Sequence, residues 1–126
     1  MSDDFTALET ILLDLYHQRL KQFGFPAVQD LVFQSRRYMP GLGRYTYLTH
    51  AGHTDLEAAY LDHDFLVTFV GKGTHAQVSC DVEDFKVRRL DIISLDDGLW
   101  DGTEDGWRLM DGDILLTPPY RPREVK

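Results

Sequence analysis

The stretch FLVTFVGKGTHAQVSC, Phe65–Cys80, reads as two strands around the turn Gly71-Lys72-Gly73-Thr74. Pairing Val70 with His75 sets Phe69 against Ala76, Val67 against Val78 and Phe65 against Cys80. Side chains alternate across a strand, so these apolar pairs share one face. Thr68, Gln77 and Ser79 take the other. Such a hairpin, apolar on one side only, belongs in an antiparallel sheet that needs a cover.

Outward from it, the chain supplies both more strands and the cover. Tyr45, Tyr47 and Thr49 alternate with Thr46 and Leu48 as a strand. Phe85–Leu95 is another, and its parity changes between Val87 and Leu90, which predicts a bulge near Arg88-Arg89. Asp111-Gly112 suits a tight hairpin turn pairing Leu109 with Ile114 and Trp107 with Leu116. Pro118 and Pro119 then end the domain, giving one unit over 1–119 and a tail over 120–126.

Residues 3–22 read as a helix, because Phe5, Leu8, Leu12, Leu15, Leu20 and Phe23 recur at helical steps, with Gly24 as the stop. Pro26 predicts a second short helix over Ala27–Gln34. Thr54-Asp55-Leu56-Glu57 has the form of a capping box and predicts a third over Asp55–Leu61. Helices segregated before strands mean α+β. The expected architecture is an N-terminal amphipathic helix, plus short helices, on a curved antiparallel sheet of five to six strands. A cystatin-like cone satisfies this order.

The 126 residues carry a formal charge of −8. Residues 1–50 are formally neutral, so the whole excess lies in 51–126. Asp91, Asp96, Asp97, Asp101, Glu104, Asp105, Asp111 and Asp113 face only Arg108 within 91–113. Phosphate neutralisation needs a concentrated basic face, so nucleic acid is not the expected partner. An acidic end steers basic proteins instead. Leu99, Trp100, Asp101, Glu104 and Asp105 form the expected contact, with Trp100 as anchor and the carboxylates as steering groups. An immunity protein, inhibitor or secretion chaperone has this character.

The rival reading is a small-ligand protein or enzyme with a pocket of Tyr45, Tyr47, His50, His53, Asp64 and His75. The hairpin register extended by one pair sets Asp64 against Asp81, with Asp62, His63, Glu83 and Asp84 nearby, a candidate site for a divalent cation. His50 and His53 with Asp55 form a weaker zinc candidate. Asp101, Thr103 and Asp105 precede Gly106 as in a calcium loop, yet Gly112 stands where the bidentate glutamate belongs. No nucleophile elbow or phosphate-binding loop occurs, and no pattern calls for a cofactor. Cys80, the one cysteine, falls on the apolar face and fits a reducing compartment. The start MSDDF lacks the basic and apolar regions of a secretion signal, and no apolar run is long enough to span a membrane, so the expected location is cytoplasmic.

Glu57-Ala58, Asp64, Gly71, Gly112-Asp113 and Pro119 loosely resemble a family of cupin-like sugar-metabolism proteins. That resemblance implies a small-ligand barrel with a metal-binding histidine after Glu57-Ala58, where this sequence has Ala59.

Overall fold

The computed structural model of the chain describes residues 4–40, 42–69, 74–95, 104, 107–109 and 114–122. Among these residues, a single long helix, α1 (Ala7–Leu20), precedes seven strands: β1 (Leu31–Met39), β2 (Gly43–His50), β3 (Leu56–Phe69), β4 (Thr74–Glu83), β5 (Lys86–Ser94), β6 (Trp107–Leu109) and β7 (Ile114–Pro122). All pairings are antiparallel, in the order β1-β2-β5-β4-β3-β6, with β7 also on β3. β6 and β7 lie one after the other along the same edge of β3, so seven segments fill six positions. The expected class, a helix on an antiparallel sheet, is what the chain forms.

The helix starts where its chemistry says it should. Thr6 Oγ accepts from the amide of Glu9 at 3.1 Å, and the Glu9 carboxylate accepts from the amide of Thr6 at 2.9 Å. This capping box satisfies two orphan donors at once. The helix closes through a 3-10 turn, Lys21–Phe23, into Gly24 at φ 79°, the expected stop. Its buried stripe is Leu8, Leu12, Leu13, Tyr16 and Leu20, with Glu9 among them. Opposite lie Leu48, Leu56, Leu61, Ala76, Val78, Cys80, Val82, Val87, Leu90 and Ile92, all buried. Each Leu, Val and Ile side chain among them contributes about 1.5–3 kcal/mol on leaving water. Tyr16 stacks on Phe25 at 5.7 Å and donates its hydroxyl to the carbonyl of Leu61 at 2.7 Å.

Four local expectations are corrected. Ala27–Gln34 is a 3-10 turn, Val28–Asp30, followed by β1, because Leu31, Val32 and Phe33 pair with β2. Short apolar runs fit either period, and here the partner strand decides. Asp55–Leu61 is strand rather than helix. Thr54 Oγ bonds only to the backbone of Leu56, at 2.9 and 3.2 Å, and Leu56 opens β3. The β3–β4 connection still has four residues but slides by one, so Phe69 pairs with Thr74 and Thr68 with His75. Past an irregularity between Asp62 and Leu66, Leu61 meets Cys80 and Tyr60 meets Asp81. Every offset is even, so Ala76, Val78 and Cys80 keep the apolar face. Finally, Leu109 and Ile114 do not pair, nor do Trp107 and Leu116. Leu109 pairs with Val67 and Ile114 with His63, both on β3. β7 continues to Pro122, three residues into the expected tail. Pro118 and Pro119 fall at a register shift, where a missing N–H costs no ladder bond.

The expected bulge is present: Asp81 pairs with Arg89 and Val82 with Val87, leaving Arg88 extra. The β4–β5 turn puts Asp84 at φ 52° and Phe85 at φ 64°. Two backbone bonds from outside hold it, Thr54 N to the Phe85 carbonyl at 2.7 Å and Phe85 N to the Glu57 carbonyl at 3.1 Å.

Gly43 and Gly52 separate crowding from torsion. A methyl at Gly43 would lie 2.4 Å from the Ile92 carbonyl oxygen and 2.9 Å from Ile93 Cα, both backbone of β5. At Gly52, with φ 74°, it would meet nothing within 4 Å. Gly43→Ala is expected to lower unfolding free energy by about 2 kcal/mol or more, and Gly52→Ala by about 1 kcal/mol. Urea denaturation followed by circular dichroism measures both.

Candidate functional site

Position 9 falls in the core-facing stripe of α1, so a carboxylate is carried into the interior. A buried charge is tolerated only when paired and hydrogen-bonded. Glu9 is fully buried and receives Arg36 from β1, with Nε at 2.8 Å and Nη2 at 2.5 Å. Arg44 Nη2 of β2 lies 3.0 Å away, and the Thr46 hydroxyl donates at 2.5 Å. The register explains the convergence: Arg36 pairs with Thr46, and Arg44 stands two residues before it on the same face. Arg44 also donates to Glu104, whose carboxylate accepts from the Thr6 hydroxyl at 2.6 Å and from the Leu8 amide at 3.4 Å. Two acids and two bases thus balance around the first turn of the helix. Arg36 lies over the Phe33 ring, which meets Phe5 edge-on. Burial alone would push the Glu9 carboxyl up, but hydrogen bonds from Arg36, Thr46 and Thr6 and the charge of Arg44 outweigh it and hold it below its ordinary value. The bond to Glu9 also raises Arg36.

The opposite face of the sheet is polar. Tyr45, Tyr47 and Thr49 alternate with the buried Arg44, Thr46, Leu48 and His50 of β2. Tyr45 pairs with Asp91, which pairs with Ser79; Tyr47 pairs with Arg89, which pairs with Asp81. Arg89 holds Asp91 through Nε at 2.6 Å and Nη2 at 3.0 Å and lies 4.2 Å over the Tyr45 ring. Beneath it Asp91 is buried. Burial works against the Arg89 charge, yet Asp91 and Asp81 hold it firmly protonated. Asp81 is pushed up mainly by burial, with Glu83 and Asp91 adding to the effect and Arg89 and Arg88 opposing it.

β2 and β5 part beyond Tyr47 and Arg89, the last pair between them. There His50 takes the place of a strand. Its Nε2 accepts from the Val87 amide at 2.9 Å, so Nδ1 carries the proton and donates to the Ala51 carbonyl at 2.9 Å. Lys86 Nζ donates to the His50 carbonyl at 2.9 Å. The parting leaves a cleft of about 380 Å³ lined by Tyr47, Asp81, Glu83, Lys86, Arg88 and Arg89, among others.

Among the described residues, the side chains expected to line a pocket fall on both faces of the sheet. Leu99, Trp100, Asp101 and Asp105 lie outside the described residues. Glu104 is engaged within the fold by Arg44 and Thr6 rather than free to steer a partner. Of the expected pocket, Tyr45 and Tyr47 share the polar face, while His50 is buried on the apolar one with Nε2 already occupied. His53 and His75 are exposed, and the side chain of Asp64 lies outside the described residues. Tyr60, not Asp64, stands opposite Asp81. Among the described residues, no three His, Cys, Asp or Glu side chains gather as a cation site. Cys80 is a buried thiol pushed well above its ordinary value by desolvation, with Asp91 and Asp81 adding to it, and is inert packing. The charged cluster around Glu9 is none of the expected sites; its signal in the sequence is Thr6-Ala7-Leu8-Glu9, a capping box at the start of the apolar stripe.

No family model, no curated protein and no solved structure matches this chain.

The Glu9 carboxyl sits lower in the folded chain than in the unfolded one, where 4.5 is its ordinary value. Its stabilisation is complete above that value and lost as pH falls through the folded pKa. Glu9→Gln is expected to cost about 3 kcal/mol at neutral pH and to flatten the loss of stability below pH 4.5. Urea melts at neutral and acid pH measure both. His50→Ala strips the Val87 amide of its acceptor and is expected to cost about 1–3 kcal/mol, with faster hydrogen exchange at Val87 as the local readout.

Proposed function

We propose that the chain is a small acidic binding module that recognises a basic partner protein, in the manner of an immunity protein, inhibitor or secretion chaperone. The observation that carries the reading is how the negative charge is distributed along the sequence. Glu9 and Glu104 are balanced by Arg36 and Arg44, and Asp91 by Arg89. Asp96, Asp97, Asp101, Asp105, Asp111 and Asp113 have only Arg108 beside them in sequence. Long-range attraction from such a surplus speeds encounter with a cationic protein.

Within this reading Leu99, Trp100, Asp101 and Asp105 make the contact. Glu104 instead ties the acidic stretch to the start of α1, through Thr6 and Arg44. On the other side, the Leu95 amide donates to the His75 carbonyl at 2.9 Å. Fixed ends reduce the ordering cost of binding. A cytoplasmic location belongs to the same proposal, and among the described residues no helix is long and apolar enough to cross a membrane.

A partner captured from native lysate and then purified is expected to be basic. Its affinity should fall about tenfold or more as salt rises from roughly 0.05 to 0.3 M, and fall again in Asp101→Asn/Asp105→Asn. Trp100→Ala should raise the dissociation rate. An affinity indifferent to salt and to these substitutions overturns the proposal.

A further inference from the structure

The cleft between β2 and β5 plays no part in that reading, and its charges are arranged unusually. Asp81 and Glu83 stand two residues apart on β4, on the polar face. Their cross-strand neighbours are Arg89 and Lys86, the opposite charges that ordinarily neutralise such positions. Both cations are bonded elsewhere: Arg89 to Asp91, and Lys86 to the His50 carbonyl. Among the described residues, no ion pair joins either carboxylate to a cation.

Arg88 supplies the complementary half. It is the extra residue of the bulge, and bulges re-aim side chains. It is half exposed, and its nearest acid, Asp84, lies at 3.9 Å on the surface, a contact of little energetic weight. The cleft therefore offers two carboxylates without ion pairs and a guanidinium held by almost nothing, beside the ring of Tyr47.

We propose that this cleft binds a small zwitterion of amino-acid or dipeptide size, its ammonium on Asp81 and Glu83 and its carboxylate on Arg88. A simple cation would face Lys86, Arg88 and Arg89; a simple anion would face the two acids. Only a ligand carrying both charges satisfies both sets. Charge-assisted hydrogen bonds of this kind are the strong ones, and the guanidinium fork suits a carboxylate. The Tyr47 ring can cover the short chain between the two ends. About 380 Å³ lies toward the lower end of small-ligand sites and exceeds a single amino acid. Burial already disfavours the ionised form of Asp81, and an ammonium beside it would reverse that.

Three peptides of nearly one size test this: glycylglycine, N-acetylglycylglycine without the ammonium, and glycylglycinamide without the carboxylate. Each is titrated into the full ¹⁵N-labelled chain while the amide signals of Thr49, Val87 and Arg88 are followed. Glycylglycine is expected to shift them, with each capped peptide at least about tenfold weaker. Asp81→Asn/Glu83→Gln should erase the advantage over the acetyl peptide, and Arg88→Gln the advantage over the amide. Unchanged dispersion of the remaining signals shows that the variants are folded. No shift at these amides up to about 50 mM, equal shifts from all three peptides, or variants that bind like the parent overturn the proposal. None of these outcomes bears on the basic partner, which is tested by salt dependence.

Discussion

A carboxylate inside the core organises the rest of this molecule. Glu9 sits on the helix face that every hydrophobic consideration turns toward the sheet, and a lone ionised group there would be prohibitive. The chain resolves this by bringing Arg36, Arg44 and Thr46 from two adjacent strands and Thr6 from the helix start. Replacing such a cluster by apolar residues is often neutral for stability, so its value lies elsewhere. It ties the first turn of α1 to Arg36 of β1 and to Arg44 and Thr46 of β2. Sliding the helix by one turn would part the buried Glu9 carboxylate from both guanidinium groups. The charges thus add a directional constraint to the packing of Leu8, Leu12 and Leu13.

Much of the fold is legible in the sequence wherever local pattern and final pairing agree. The apolar face of Ala76, Val78 and Cys80, the bulge at Arg88 and the stop at Gly24 are of this kind. Alternation alone also places Tyr45 and Tyr47 opposite His50, an incompatibility within the expected pocket that parity reveals. What sequence hides is anything decided by a distant partner. Thr-x-x-Glu occurs at Thr6 and at Thr54, and only the first caps a helix, because the second leads into a segment that β4 claims. Leu31–Phe33 is strand because β2 is there to pair with it. Glu104 counts as surface charge until Arg44, sixty positions earlier, is seen beside it.

The two faces of the sheet divide the work. One is dry and carries the core; the other carries Tyr45, Tyr47, Arg89, Asp91 and Asp81 in register across three strands. At one end of that polar face, two neighbouring strands stop pairing, and an imidazole supplies the acceptor that a strand would have provided. The opening is thus part of the fold's own hydrogen-bond accounting, with no backbone donor at Val87 left unmet.

The turn between β4 and β5 carries a further consequence. Asp84 and Phe85 both adopt left-handed torsions that cost a residue with a side chain roughly 1–2 kcal/mol. The bonds that offset this come from Thr54 and Glu57, some thirty positions upstream. The strained turn is therefore held from outside its own hairpin, with the beginning of β3 and the loop before it acting as a clasp on the three-stranded meander.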